Sequence, residues 1–363
     1  MVYYLQFICE ILYIKAVIRR LTANDNKIGR IEMKYKNDFY NTLKNSTSIK
    51  PIIKKITPKK LIEITRNYSN KDTSVSVFFE NTQARFDFKS KESQGFMPVY
   101  YWDSKLNFGD LVGPYLVSKI TAKPILNIKN LKSPGVMAVG SIIQMLDRKD
   151  MVIWGSGLMH KPTTEQAKNL RMYNPKVLSV RGSKTAECLL KIGIEISNQD
   201  AYGDPALILP LFYKPLISET KEIGICPHYK HKADFSKNNV YKKGLKIIDV
   251  QNDMESVVDL IASSKVCIST SLHGLIIAQA YNIPWVWLEI YDDNLYGNDF
   301  KFRDFFSTID QTQVSHVRVK SKDIDNIDYH DIAKKASLPK KRYSEELILE
   351  CLNNYLNNSN ASN

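Results

Sequence analysis

"ISTSLHGLIIAQAYNIPWVWLE", residues Ile268 to Glu289, changes character twice in 22 residues. It opens with the end of a short apolar strand, Val266 to Ile268. Three hydroxyl residues follow, Ser269, Thr270 and Ser271, and then His273. Gly274 to Tyr281 reads as a helix. Pro284 ends it, and Trp285 to Leu288 reads as a second strand. Strand, helix and strand at this spacing make one βαβ unit of a parallel sheet covered on both faces.

The same grammar extends in both directions. Upstream, "PVYYW", "GVMAVGS", "MVIWGSG" and "KVLSVRG" are short apolar runs, each ended by glycine or a polar turn. Helix-like stretches separate them: "LVGPYLVSKI", "TTEQAKNLRMY" and "SKTAECLLKIGI". Nearer the opening stretch, "EIGICPHY" and "LKIIDV" read as strands and "MESVVDLIASS" as a helix. The expectation is an α/β protein with two Rossmann-like domains facing each other across a cleft, residues 96–213 and 222–310, joined by a hinge at 214–221. Residues 311–363 form a C-terminal segment with an Asn-rich tail expected to be disordered. Residues 1–95 are a basic N-terminal extension, partly helical. A chain of 363 residues has the length for two domains.

Charge is unevenly spread. The chain carries a net +13, and its first 95 residues hold 18 Lys/Arg against 9 Asp/Glu. That imbalance implies an acidic partner or a solvated basic face. The lysines are not interleaved with aromatic residues in a stacking pattern, so no nucleic-acid partner is expected. "MVYYLQFICEILYIKAVIRR" is apolar but interrupted by Gln6, Glu10 and Lys15. It lacks the design of a signal peptide or a spanning helix. Two placements stay open for it: packing on the body, or lying on a membrane surface. The five cysteines are widely spaced with no CxxC, which fits reduced thiols and a cytoplasmic protein, peripheral on the inner membrane face if that helix binds lipid.

Ligands of open parallel sheets sit beyond the carboxyl ends of the strands. Four stretches place chemistry there. "NFGDLVGPYLV" opens a helix after a strand, with Asn107, Gly109 and Asp110 at its mouth. Asp110 is read either as a helix cap or as a carboxylate in the cleft. "SVRGSKTAECLLKIGI" puts Arg181 at a strand end, shaped for carboxylate or phosphate, or for a salt bridge. In the opening stretch, Ser269, Thr270, Ser271 and Gly274 surround a helix N-terminus, which carries positive partial charge and free N–H groups. His273 in its first turn can donate to an anion or trade a proton. "DFKFRDFF" (Asp299–Phe306) alternates Lys301 and Arg303 with rings, the pattern of an extended or looped segment whose cations share one side. Gly155 and Ser156 of "GSG" follow a strand. "CPHYKH" offers Cys226, His228 and His231, but no complementary ligand pair exists elsewhere, so no metal is expected. Asn107, Gly109, Gly155, Ser156, His228 and Glu289 are the expected cleft and acceptor side.

Taken in order, "NFGDLVGPYLV", "AVGSI", "VIWGSG", "SVRGSKTAECLLKIGI", "YGDPALILP", the opening stretch and "DFKFRDFF" resemble the polysaccharide pyruvyl transferases over roughly residues 97 to 310. The resemblance implies a glycosyltransferase-B-like fold. It also implies transfer of a pyruvyl group from phosphoenolpyruvate to two sugar hydroxyls as a cyclic ketal, in the assembly of capsule, exopolysaccharide or cell-wall polymers. The partners implied are phosphoenolpyruvate and a sugar or lipid-linked oligosaccharide acceptor, with no cofactor. His273 and Asp110 are the expected acid/base groups. Arg181, Ser269, Thr270, Ser271 and Gly274 are expected to hold the donor. Many members carry Arg directly before the Leu-His pair, where this chain has Ser271, and Arg303 or Lys301 is expected to supply the missing charge. Two other readings stand beside it: a glycosyltransferase using a nucleotide sugar on the same fold, and a non-catalytic subunit of a polymer-assembly complex.

Overall fold

The computed structural model describes residues 74–79, 82–87, 95–215, 222–236 and 244–361. The expected N-terminal helix and most of the expected hinge lie outside them. The chain divides into two compact units, Met1–Gln94 and Gly95–Asn363. In the first, β1 (Ser74–Phe79) and β2 (Thr82–Asp87) pair antiparallel.

The second unit contains two five-stranded parallel sheets, consistent with two Rossmann-like domains. The first runs in the order β4-β3-β5-β6-β7. Its strands are β3 (Met97–Tyr100), β4 (Ile125–Asn127), β5 (Val136–Met137), β6 (Val152–Trp154) and β7 (Lys176–Ser179). The second has the order β12-β11-β10-β8-β9. It comprises β8 (Ile223–Cys226), β9 (Leu245–Ile247), β10 (Val266–Ser269), β11 (Trp285–Ile290) and β12 (His316–Val319). β8 and β10 are buried along their whole length, because helices cover both faces of a parallel sheet. Ile225, Ile268, Val286 and Leu288 form the centre of that core with Phe235 and Tyr329.

The helices used below are α1 (Phe108–Thr121), α2 (Thr164–Tyr173), α3 (Ser183–Lys191), α4 (Met254–Ser263), α5 (Leu272–Ala280), α6 (Phe300–Phe306) and α7 (Glu345–Ala361). α2 starts with a reciprocal capping box between Thr163 and Gln166. α5 is buried at every residue from Leu272 to Gln279, as its all-round apolar sequence requires.

Three expectations need correction. "DFKFRDFF" is helical, not extended, so residues two apart do not share a side: Lys301 is buried and Arg303 lies largely outside. The Asn-rich end is helical as far as Ala361. α7 brings the chain back to the first sheet, where the Trp154 indole donates to the Ile348 carbonyl at 2.7 Å. The second sheet also extends past residue 310, because β12 pairs with β11 in register Trp287↔His316 to Ile290↔Val319. The two halves belong to one compact unit. Among the described residues, no helix is long and apolar enough to cross a membrane.

Candidate active site

α1 from the first half and α5 from the second bring their N-termini together. The contact point is Gly109 against His273: a Cβ at position 109 would overlap Nδ1 of the imidazole. Phe108 meets the same ring edge-on, with centroids 6.5 Å apart. The Phe108 N–H donates to the Val250 carbonyl at 2.8 Å, tying the start of α1 to the loop after β9. Two positive helix ends therefore face one small region. Asp110 stands in the first turn of α1, its Oδ2 accepting from Asn107 Nδ2 at 3.0 Å. Asn107 does not cap the helix with its side chain, and its own Oδ1 is buried without a partner.

The hydroxyls before α5 divide into two kinds. Ser269 Oγ donates at 2.7 Å to the Cys226 carbonyl and accepts from the Ser271 N–H at 2.9 Å. Thr270 Oγ1 accepts from the His228 N–H at 2.8 Å and lies 3.0 Å from His231 Nδ1. Both are occupied in shaping the turn. Ser271 is the N-cap residue of α5, and its hydroxyl makes no cap bond. Gly274 leaves no room for a side chain, since a Cβ there would press on Ser269 Oγ and Cys226 Sγ.

The cations are placed differently from the sequence expectation. Arg181 is fully buried, and each of its three nitrogens donates to protein. Nε reaches Asp304 Oδ2 at 2.9 Å, Nη1 reaches Ser141 Oγ at 2.6 Å, and Nη2 reaches the Leu158 carbonyl at 2.7 Å. Asp304 also accepts from Thr185 N–H and Oγ1, at 2.8 and 2.7 Å. Arg181 is thus the salt bridge of the two readings, a buried latch between β7 and α6. Its charge still acts on its surroundings at a distance. Arg303, expected to replace the family's arginine, pairs with Asp299 at 3.2 Å and lies over the Trp287 ring; its side chain is 44% exposed. Because α6 is a helix, Arg303 and Lys301 point to different sides of it. Lys301 differs from both. It is 7% exposed and makes no ion pair or hydrogen bond among the described residues.

Burial sets the protonation states here. It pushes Asp110 up to about 7, against the opposing Asn107 bond and the Lys301 charge. It pulls Lys301 down to about 8, helped by Arg181 and resisted by Asp110. His273 falls to about 3 through burial, with Arg181 and Lys301 adding to the effect. His228 falls to about 2 through burial, then through the charges of Lys301, His231 and His273. At neutral pH the site holds a neutral imidazole, a carboxyl near its midpoint and a charged but poorly solvated ammonium.

Sequence reasoning passed over Asp204. "YGDPALILP" enters the sequence reading as part of the family resemblance with no site residue named in it, yet its aspartate is fully buried with Oδ2 3.9 Å from His273 Nε2. The available signal was an aspartate followed by proline, which marks a helix start as readily as a site. The expected acceptor residues scatter. Gly155 adopts φ +68 and packs against Pro205, and Ser156 Oγ donates to the Gly140 carbonyl at 2.8 Å. Both are parts of the framework. Glu289 accepts from His316 Nε2 and Arg318 Nε, at 2.7 and 3.0 Å, on the wall of a shallow, open recess. Thr270, Trp287, Asn294, Asn298 and Asp299 complete most of that wall. His231 is held by Thr270 and by the Asp293 carbonyl. Among the described residues no group of three metal-ligating side chains gathers.

Comparison with known proteins adds to this geometry. The family model described as polysaccharide pyruvyl transferase matches residues 49–292, more than half of the chain. The match reaches back beyond the expected start of the resemblance at residue 97 and ends before α6. The uncharacterized protein L143 of Acanthamoeba polyphaga mimivirus is 27% identical over 221 residues, covering 58% of this chain and 73% of its own. The succinoglycan biosynthesis protein ExoV of Rhizobium meliloti (strain 1021) is 25% identical over 226 residues, covering 60% of this chain and 66% of its own. No solved structure matches.

Proposed function

This chain belongs to the polysaccharide pyruvyl transferase family, and we propose that it moves a pyruvyl group from phosphoenolpyruvate onto two hydroxyls of one sugar in a polysaccharide precursor, as a cyclic ketal. The observation that carries this reading is Lys301. A largely buried ammonium set against only the Phe302 ring, 5.7 Å away, is poorly compensated. It is tolerated where an anionic ligand completes it, and here two helix N-termini lie beside it. A small phosphate-carboxylate donor has the charge for such a place. The two sheets are read as the domains of a glycosyltransferase-B-like arrangement, with the donor where α1 meets α5.

The proton chemistry follows from the two opposed shifts. Groups whose environments push their pKa values apart divide into acid and base. Asp110, raised by burial, delivers a proton to the methylene carbon of the enol. His273, kept neutral, takes the proton of the attacking sugar hydroxyl. The hydroxyl oxygen bonds to C2 as the methylene becomes a methyl. The C2–O bond to phosphate then breaks, the second hydroxyl bonds to C2 as its proton passes to the Asp110 carboxylate, and the ketal closes. Lys301 and the helix ends neutralise the departing phosphate. The recess beside Glu289 has its acidic groups already paired with Arg318, His316 and Arg303. With its amides and aromatic wall it suits a neutral polyol better than a second anion. The test is incubation with phosphoenolpyruvate and candidate sugar acceptors, following phosphate release and mass gain on the sugar. Phosphate release matched by a mass gain supports the reading; transfer from a nucleotide sugar instead would replace it.

A further inference from the structure

Two buried polar atoms in this molecule face each other without hydrogen bonds. Asp204 Oδ2 and His273 Nε2 are both solvent-inaccessible and lack a well-formed hydrogen bond, and they lie 3.9 Å apart; burial raises Asp204 to about 6, against the Ala206 and Gly140 amides beside it. Buried polar atoms are nearly always satisfied, so such a pair calls for a cause. Helix capping does not supply one. Asp204 caps the 3₁₀ turn Pro205–Leu211 through its other oxygen, Oδ1, which accepts from the Ala206 N–H at 3.0 Å. Asparagine would serve that cap as well as aspartate. What asparagine would not supply is a second negative oxygen aimed at the imidazole.

The other nitrogen has different surroundings. Nδ1 points at Gly109, where the absence of a side chain leaves the ring in direct contact with the N-terminus of α1. The imidazole is therefore held between a carboxylate on one side and the helix ends on the other.

We propose that Asp204 is a positioning residue: it holds the neutral His273 ring with the proton on Nε2, and so leaves Nδ1 as the nitrogen that accepts a proton from substrate. This deepens the pyruvyl transfer reading and rests on it only for the identity of that substrate. Hydrogen bonds of this kind are often long in a ligand-free protein and shorten when ligand binds. The other charged groups facing the ring do not replace Asp204. Arg181 is locked to Asp304, Lys301 is a cation, Asp110 is held by Asn107, and His228 is neutral. Only Asp204 offers an acceptor to Nε2.

The experiment begins with nitrogen-15 NMR of the six histidines in the unaltered full-length protein, with His273 assigned by its loss in His273→Gln. The expected result is a neutral ring at pH 7 with the proton on Nε2. A ring with its proton on Nδ1 would overturn the proposal without any donor or acceptor being present. The second arm is Asp204→Asn, which keeps the cap and the shape. Its His273 tautomer should become mixed. With phosphoenolpyruvate and an acceptor, kcat should fall about 10²-fold or more, the donor KM should change less than about threefold, and the acid limb of the pH profile should shift. An unchanged tautomer and pH profile in a folded Asp204→Asn protein would also overturn it. If the NMR result holds but no donor is consumed, the substrate assignment has failed and the positioning role has not.

Discussion

Replacing Lys301 with methionine isolates the charge on which donor binding depends. Methionine keeps most of the aliphatic stem, so packing beside Phe302 survives while the ammonium goes. In the free protein Lys301 is 7% exposed and unpaired among the described residues. Solvent screening of its attraction for an anion is accordingly weak. A hydrogen bond to a charged group contributes roughly 1.5–3 kcal/mol, which corresponds to about a 10- to 100-fold rise in the apparent donor constant. The acceptor constant should move little. The pH dependence carries a sign. Lys301 is held near 8 in the free protein, and kcat/KM reports free-enzyme groups. For the donor, kcat/KM should therefore decline above pH 8, and Lys301→Met should lack that decline. Arg303→Met is the control: its side chain is 44% exposed and already paired with Asp299, so its effect should stay within about twofold. Steady-state kinetics with phosphoenolpyruvate varied from pH 6 to 9.5 make the comparison. A donor constant unchanged in Lys301→Met, or raised equally in Arg303→Met, would refute the assignment of the donor to this ammonium.

His273→Ala should lower turnover by roughly 10²–10⁴ at saturating donor with an unaltered circular dichroism spectrum; activity near wild type would return this residue to a structural role. Gly109→Ala raises helix propensity, but its methyl group overlaps the His273 ring and Cβ; displacing that side chain should cost turnover about 10²-fold and about 1–3 kcal/mol in urea unfolding. Asp304→Ala strands Arg181 without its counter-charge at a fully buried position, and urea unfolding should show a loss of about 3–5 kcal/mol. Asp110 has its folded pKa raised to about 7 from 3.8, so its contribution to stability is complete below pH 4 and is lost as pH rises to 7. Asp110→Asn cannot ionise; its melting temperature relative to wild type should climb between pH 4 and 7 and level off above.

Strand and helix grammar was legible wherever an element is buried on all sides. β8, β10, β11 and α5 announce themselves by continuous apolar runs between polar turns. β4 and β12 escaped notice because neither is a continuous apolar run of strand length. β4 has only three residues, and β12 alternates valine with His316 and Arg318 at the surface. The segment around Lys301 and Arg303 shows the ambiguity of short alternating patterns. "FKFRDFF" fits a strand by its first four residues. As a helix it buries Phe302, Phe305 and Phe306 together against Trp285 and Trp287, and that packing decides. His273, Asp110 and Gly109 could be placed at helix starts because a helix N-terminus is readable from a strand end. Asp204 was not, because its approach to His273 joins positions 69 residues apart and no local pattern encodes that contact. For Arg181, a buried salt bridge and an open anion site look identical in sequence; only the position of Asp304 separates them.

The account's central claim is tested most directly by phosphoenolpyruvate carrying carbon-13 at C2 and C3, mixed with the protein and a sugar acceptor and followed by NMR. The account predicts that the labelled enol signals give way to a methyl group and a ketal carbon attached to the sugar, with one phosphate released for each ketal formed. Labelled carbon recovered only as free pyruvate, or a sugar modified without label, would contradict it.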